Sequence, residues 1–382
     1  MNRIAVLLLS LLLGACGHRP IEGRDALFAD QLFRPPAARI SAAQVFALSE
    51  PMRRYLEVEM KGALASRGLH RGLLEALYRK NGLHLEYDAA VTRNAAEAFE
   101  ARSGNCLSLV IMTAAFAKEL GLEVHYQGAF IEPTWSRVGG MHFLAGHVNL
   151  KLGGASTGTR RSTSFDAGEW LVVDFLPGSQ VRGLRTWPIP EATIVAMYYN
   201  NRAAESLAAG QLSEAYWFSK AAISQDPSFI NAYNTLGVVY LRHGDEPQAE
   251  RVLRAILERE PDNAQALSNL LLTLERSGRV AESQAVQRKL ARVEPYPAFH
   301  FLDRGLSALR LGDFATAREL FAKEVERDPY YHESHYWLGI ANLNLGNLKE
   351  ARKHLDLALE NSTTRGERDL YAAKLERIRA YR

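Results

Sequence analysis

Apolar and polar positions fall into distinct regimes along the chain. Residues 4–13 form a short apolar run broken only by Ser10. From about Ser41 the spacing is helical: Met52, Tyr55, Leu56, Met60 and Leu64 recur at helical intervals, behind a Ser41-Ala-Ala-Gln44 segment with capping-box spacing. The same periodicity predicts helices over Leu73–Arg79, Thr92–Ala101 and Cys106–Leu120, the last closed by Gly121 at a C-cap position. The period then changes to two. Val124–Ile131, Val148–Leu152 and Glu169–Phe175 read as strands between glycine-rich or polar loops. Helices followed by strands predict an α+β domain, residues 41–190, with its helices against one sheet. From about Ile194 the chain is helical and repetitive.

The repetition has a fixed period. Pro227, Pro261, Pro295 and Pro329 lie 34 residues apart, and so do Gly210, Gly244, Gly278, Gly312 and Gly346. Within one period Tyr233, Leu236, Gly237, Tyr240, Ala249, Leu253 and Pro261 resemble the tetratricopeptide pattern. That resemblance implies an all-α superhelical solenoid over 194–382, with about five hairpins and a capping helix. Its concave surface, lined by the first helix of each hairpin, would hold a peptide or protein partner. The groove-facing positions fall at Asn200, Asn234, Ser268, Leu302 and Tyr336, with Asn231 and Gln265 one turn earlier. Asparagines there could bind a peptide backbone; the alternative is that these are merely solvated polar positions.

Arg3 and the apolar run after it, too short to span a bilayer, read as a signal peptide over residues 1–15. The run ends in Leu13-Gly14-Ala15-Cys16, which resembles the lipobox of bacterial lipoproteins. The resemblance implies cleavage before Cys16, acylation of its thiol, and, with Gly17 rather than Asp following, an outer-membrane lipoprotein facing the periplasm. The alternative is an ordinary signal peptide with a chance cysteine. Residues 16–40, with Pro20, Pro35 and Pro36, read as an extended tether. The length of 382 residues suggests two domains, and 47% hydrophobic with 23% charged residues fits a soluble globular chain. A net charge of +3, with no basic block beyond pairs such as Arg160-Arg161, does not suggest a nucleic-acid partner. The chain has two cysteines, so lipidation of Cys16 would leave Cys106 as a lone thiol in an oxidising compartment.

Cys106 lies in Ser103-Gly104-Asn105-Cys106-Leu107, where a turn leads into an amphipathic helix. A thiol in the first turn faces the positive end of the helix dipole, which stabilises a thiolate. Against this stands a small buried hydrophobe, a common fate for cysteine. His147 opens a strand, so His147 and Asn149 share one face and Val148 and Leu150 the other. Asp174 closes the next strand. Antiparallel pairing of the two across the 153–168 loop would make His147 and Asp174 cross-strand neighbours.

Gly-Asn-Cys106 opening a helix, Gly-His147 opening a strand and Trp-Leu-Val-Val-Asp174 in a later one resemble the transglutaminase-like family over roughly Asp88–Pro177. That resemblance implies a papain-like core, with Cys106 as nucleophile, His147 as base and then acid, and Asp174 orienting the imidazole. The reaction would pass through a thioester resolved by water or an amine, with no cofactor and no metal. Two positions depart from the pattern: Asn149 stands where many members have an aromatic residue, and Leu107 where many have an acid. The Cys106 N–H is one oxyanion donor; a second is unassigned, with a side chain near Gln127 one possibility. A metal site of His142, His147, Asp166 and Asp174 is disfavoured, because the i, i+5 histidines do not share one face of a strand or helix. His332 and His335 read as surface residues. Two functions follow: a lipid-anchored cysteine acyl-transfer enzyme fed by its repeat groove, or a non-catalytic envelope scaffold with a degenerate transglutaminase-like domain.

Overall fold

The computed structural model describes residues 21–36, 40–78, 82–83, 85–89, 91–138, 141–153, 170–175, 185–362 and 364–380. The leader with Cys16, and the loop carrying Arg160, Arg161 and Asp166, lie outside them. The chain divides into two units, Ser41–Asn201 with Glu294–Arg382, and Met1–Ile40 with Arg202–Val293.

In the first unit the helical periodicity after Ser41 is realised later and less regularly than the pattern suggests. Ser41 flanks a 3-10 turn, Ala42–Gln44, and its side chain caps nothing. Helix α1, Glu50–Arg54, starts with Pro51 in its first turn, where a missing N–H costs no hydrogen bond. It loosens into a π turn at Tyr55–Glu59 and resumes as α2, Lys61–Arg67. Helix α3, Leu69–Tyr78, follows. Gly72 lets α3 approach α2, since a Cβ there would sit 2.7 Å from the Ala63 carbonyl oxygen. After strand β1, Glu86–Tyr87, comes α4, Ala95–Ala101, shorter than the predicted Thr92–Ala101. Its start is set by a capping box of Asn94 and Glu97. Strand β2, Ser103–Gly104, pairs in parallel with β1 and puts Tyr87 opposite Gly104.

Helix α5, Cys106–Glu119, is not amphipathic: every residue from Leu107 to Ala117 is buried. Such a helix belongs inside a domain. Gly121 (φ 71°) ends it as expected. Four strands form an antiparallel sheet in the order β5-β4-β3-β6, with β3 Glu123–Val138, β4 Met141–Gly153, β5 Leu171–Val173 and β6 Arg185–Ile189. The hairpin β3–β4 is longer than predicted, β5 is shorter, and β6 has no counterpart among the predicted strands.

The rest is helical: α6 Glu191–Ala208, α7 Leu212–Gln225, α8 Ile230–His243, α9 Glu246–Arg259, α10 Ala264–Arg276 and α11 Val280–Val293. Then come α12 His300–Arg310, α13 Phe314–Arg327, α14 His332–Asn344, α15 Leu348–Glu360 and α16 Arg365–Ala380. The five glycines of the 34-residue period all adopt positive φ, between 68° and 87°, at the turn inside each hairpin. That conformation favours glycine, which explains the spacing. Gly305 serves the other purpose of small residues here: a Cβ would lie 2.5 Å from the Phe321 ring, so α12 and α13 touch only without one.

The expected tether is folded from Ile21 onward. Two 3-10 turns, Arg24–Leu27 and Asp30–Leu32, lay the segment along α7, α8 and α9. Ile21, Leu27, Ala29 and Phe33 are buried. Phe33 stacks on Tyr216 with ring centroids 4.2 Å apart. The Tyr216 hydroxyl accepts from Ala29 N (3.0 Å), Tyr240 donates to the Leu27 carbonyl (2.8 Å), and Trp217 Nε1 donates to the Arg34 carbonyl (2.6 Å). Prolines suggested a linker, but the apolar residues between them have somewhere to go. The segment is a strap.

Candidate functional site

Cys106 is the first residue of α5, and the sequence before it fixes where the sulfur stands. Asn105 caps the helix: its Oδ1 accepts from Ser108 N (2.9 Å) and from the Ser108 hydroxyl (2.8 Å). Its Nδ2 donates to the Thr92 hydroxyl (2.8 Å), tying the cap to the segment ahead of α4. Arg93 N donates to the Ser108 hydroxyl (2.9 Å). Gly104 permits this clasp, because a Cβ there would fall 2.6 Å from the Ser108 Cβ. Cys106 remains partly exposed, and it is a free thiol.

His147 is 3% exposed and sits opposite Ala129 in the β3–β4 ladder. Its Nε2 lies 2.8 and 2.9 Å from the two carboxylate oxygens of Asp174. The Cys106 side chain lies close enough to the same ring to raise its pKa, and with Nε2 committed to Asp174 the nitrogen left for the sulfur is Nδ1. The register differs in detail from simple cross-strand pairing. Leu150 pairs with Val173, so the continuation sets Asp174 opposite Asn149, and His147, two residues away on the same face, reaches it diagonally. Asn149 is 2% exposed and its Nδ2 donates to Asp174 Oδ2 (2.9 Å). The four side chains thus form one chain of contacts: Asn149, Asp174, His147, Cys106.

Burial alone would lower the His147 pKa, but hydrogen bonds donated by the ring to Asp174 and Cys106, and the charges of both, overcome it and raise the value to about 9. The ring is an imidazolium at neutral pH. Its stabilising contribution is complete below about 6.5, the value expected when unfolded, and is lost as pH rises through 9. Tyr87 approaches the Cys106 end of α5 from β1; burial of its hydroxyl and the nearby sulfur raise its pKa. Sequence reasoning missed Tyr87, Asn94, Thr92 and the role of Asn149. The Gln127 Nε2 donates one hydrogen bond, to the Thr186 hydroxyl (3.0 Å). Among the described residues no cluster of three or more His, Cys, Asp or Glu could hold a metal ion.

The groove positions turn out unequal. Asn231 and Gln265 are half-buried and Ser268 exposed. Asn234 is 6% exposed, its Nδ2 making a long 3.5 Å contact to Asn263 Oδ1 while its own Oδ1 lacks a partner. Asn200, half-buried, lies in the other unit. Leu302 is fully buried and Tyr336 stacks on Tyr371 (4.9 Å), so neither lines a groove; both belong to the packing of their hairpins. Cys16 lies outside the described residues.

His332 and His335 are not surface residues either. His332 Nδ1 meets the Tyr371 hydroxyl at 2.7 Å; His335, 3% exposed, meets the Pro329 carbonyl at 2.9 Å and His354 Nδ1 at 3.1 Å. Burial, reinforced by His335, lowers the His354 pKa to about 4. A depressed histidine value means stability that is present above about 6.5 and lost as pH falls toward 4. Relative to His354→Gln, the unmodified chain is therefore expected to lose about 1–2 kcal/mol between pH 7 and 4.5, at about 1.4 kcal/mol per unit and with solvent screening of the half-buried ring. Urea unfolding of both proteins at each pH measures this.

Comparison with known proteins bears on the helical half. Residues 206–287 and 302–365 each match the family model of the tetratricopeptide repeat. No curated protein matches the chain in sequence. Similar solved structures include TTC0263, a thermophilic TPR protein of Thermus thermophilus, at 22% identity over 47% of this chain and 98% of that one (TM-score 0.29). YrrB, described as a TPR protein with an unusual peptide-binding site, is 22% identical over 47% of this chain and 92% of its own (TM-score 0.25). MamA is 19% identical over 44% and 91% (TM-score 0.25). The C-terminal half is an array of tetratricopeptide repeats, a module whose partners are peptides and proteins.

Proposed function

We propose that the protein is a cysteine acyl-transfer enzyme of the transglutaminase-like kind, with a papain-like domain over 41–190. On this reading it is anchored through a lipid on Cys16 to the periplasmic face of the outer membrane, and its repeats recruit a protein or peptide substrate. The observation that carries the reading is the buried His147 ring held by both oxygens of Asp174, with the Cys106 thiol near enough to raise its pKa.

The chemistry follows from that arrangement. In the resting site the Cys106 proton is held on His147, so that thiolate and imidazolium form an ion pair before substrate arrives. Sulfur attacks an amide carbonyl, whose electron pair moves to oxygen, and the Cys106 N–H, at the first position of α5, is the donor for that oxyanion. Collapse re-forms the carbonyl and breaks the C–N bond, and the leaving amine takes its proton from the imidazolium. The thioester is then attacked by water or by a second amine, with His147 again as base.

The test is thiol reactivity of the full mature chain. Cys106 is expected to react with iodoacetamide at pH 6 about 10–100 times faster than free cysteine, whose thiolate is scarce there. His147→Ala should return it to the ordinary rate. A slow rate indifferent to His147 would leave the repeats as the working part and make the protein an envelope scaffold.

A further inference from the structure

A cleft of about 730 Å³ opens beside the site, a size common for ligand clefts. It reaches Asp174 at one point and Tyr87 at another, the residues that touch His147 and Cys106 respectively. Its walls are largely apolar, made by Leu74 and Tyr78 of α3, Leu109 of α5, and Leu171 and Phe175 of the β5 segment. Arg67 and Arg71 enter from α2 and α3.

The charges in the cleft do not cancel. Glu75 pairs with Arg67 (3.4 Å), and Asp174 is engaged by His147 and Asn149. Arg71 is exposed and has no ion-pair partner among the described residues. An uncompensated guanidinium at the rim of an apolar cleft is complementary to a ligand with an apolar body and a carboxylate, and guanidinium binds carboxylate in two-pronged fashion.

We propose that this cleft binds the part of a peptide substrate adjoining the attacked carbonyl, and selects an apolar side chain followed by a carboxylate that pairs with Arg71. This rests on the acyl-transfer reading of Cys106. The carboxylate is either a chain terminus or an acidic side chain. The apolar residue fills the space between Phe175 and Leu109, and the Arg71 contact sets the distance at which the peptide carbonyl meets the sulfur.

Four affinity labels test this on the full mature chain: bromoacetyl-phenylalanine, its amide, bromoacetyl-phenylalanyl-glutamyl amide and bromoacetyl-glycine. In each, sulfur bonds to the methylene carbon and bromide leaves with its electron pair. At least one phenylalanine label bearing a carboxylate should half-saturate at roughly five-fold lower concentration, or less, than the neutral amide and than the glycine compound. Which one does so identifies terminus or side chain. Arg71→Gln should erase the preference over the amide while the iodoacetamide rate stays within about two-fold. Equal half-saturation by all four labels, or a preference that survives Arg71→Gln, overturns the proposal. Slow iodoacetamide labelling indifferent to His147 would instead sink the acyl-transfer reading. The cleft is then judged by equilibrium binding of N-acetyl-phenylalanine and its amide to Cys106→Ala, where equal binding overturns it as well.

Discussion

Asp174→Asn is expected to slow alkylation of Cys106 at pH 6 by about 100-fold or more, with little change in the fold. The size of the effect comes from Asn149. Its Nδ2 donates to Asp174 Oδ2, and it demands an acceptor there. An asparagine at 174 would satisfy that demand with its oxygen, which turns its own NH2 toward His147. Nε2 of His147 must then accept, so the ring proton moves to Nδ1, the nitrogen that should receive the proton of Cys106. The base is lost although every heavy atom stays in place. Exchanging both residues, Asp174→Asn with Asn149→Asp, gives the new amide a carboxylate partner and frees its oxygen for His147. This double variant should regain about ten-fold of the lost rate. If the single and double variants react alike, Asn149 does not set the orientation of residue 174.

Local chemistry decided what the sequence could reveal. Helix α5, its Gly121 end, the antiparallel strands and the helical repeats were legible because each depends on neighbours within a few residues. The repeat period was plainest of all, since the hairpin turn needs positive φ at the same place each time. Alternation along β4 put His147 and Asn149 on one face, and the observed register agrees. It could not say that Asp174 falls opposite Asn149, because that depends on the length of the connection between strands. Asn149 looked like a departure from a family pattern and is a hydrogen-bond donor to Asp174. Tyr87 was invisible for a similar reason: a two-residue strand carries no periodicity, and only pairing with Ser103 and Gly104 brings it to Cys106. The histidines of α14 show the reverse error. A polar residue spaced i, i+3 looks solvated, but the Tyr371 hydroxyl and the Pro329 carbonyl supply what water would have given.

Phe33→Ala is expected to release the N-terminal strap, whereas Asp30→Ala is expected to loosen it only slightly. Phe33 is 6% exposed, stacked on Tyr216 and close to Tyr240 and His243, so truncation removes a buried ring at a cost of about 3–5 kcal/mol. The Asp30 carboxylate holds Lys220 at 2.6 Å, but its side chain is 50% exposed, and solvent screens such a pair to about 1 kcal/mol or less. Loss of about 3 kcal/mol raises the open population roughly 100-fold, at about 1.4 kcal/mol per ten-fold, and tryptic cleavage after Arg24 should accelerate in proportion when reclosing is fast. The Asp30 variant should change by less than about ten-fold. Equal rates for both variants would mean that the strap is held by charge and not by its rings. The distinction bears on the proposed anchor. Four residues separate Cys16 from Ile21, and the five steps between them, at about 3.6 Å each, reach no more than about 18 Å. A lipid on Cys16 would therefore hold the first repeats close to the membrane while the strap is closed, and opening it would add the length of residues 21–36 to the reach of the chain.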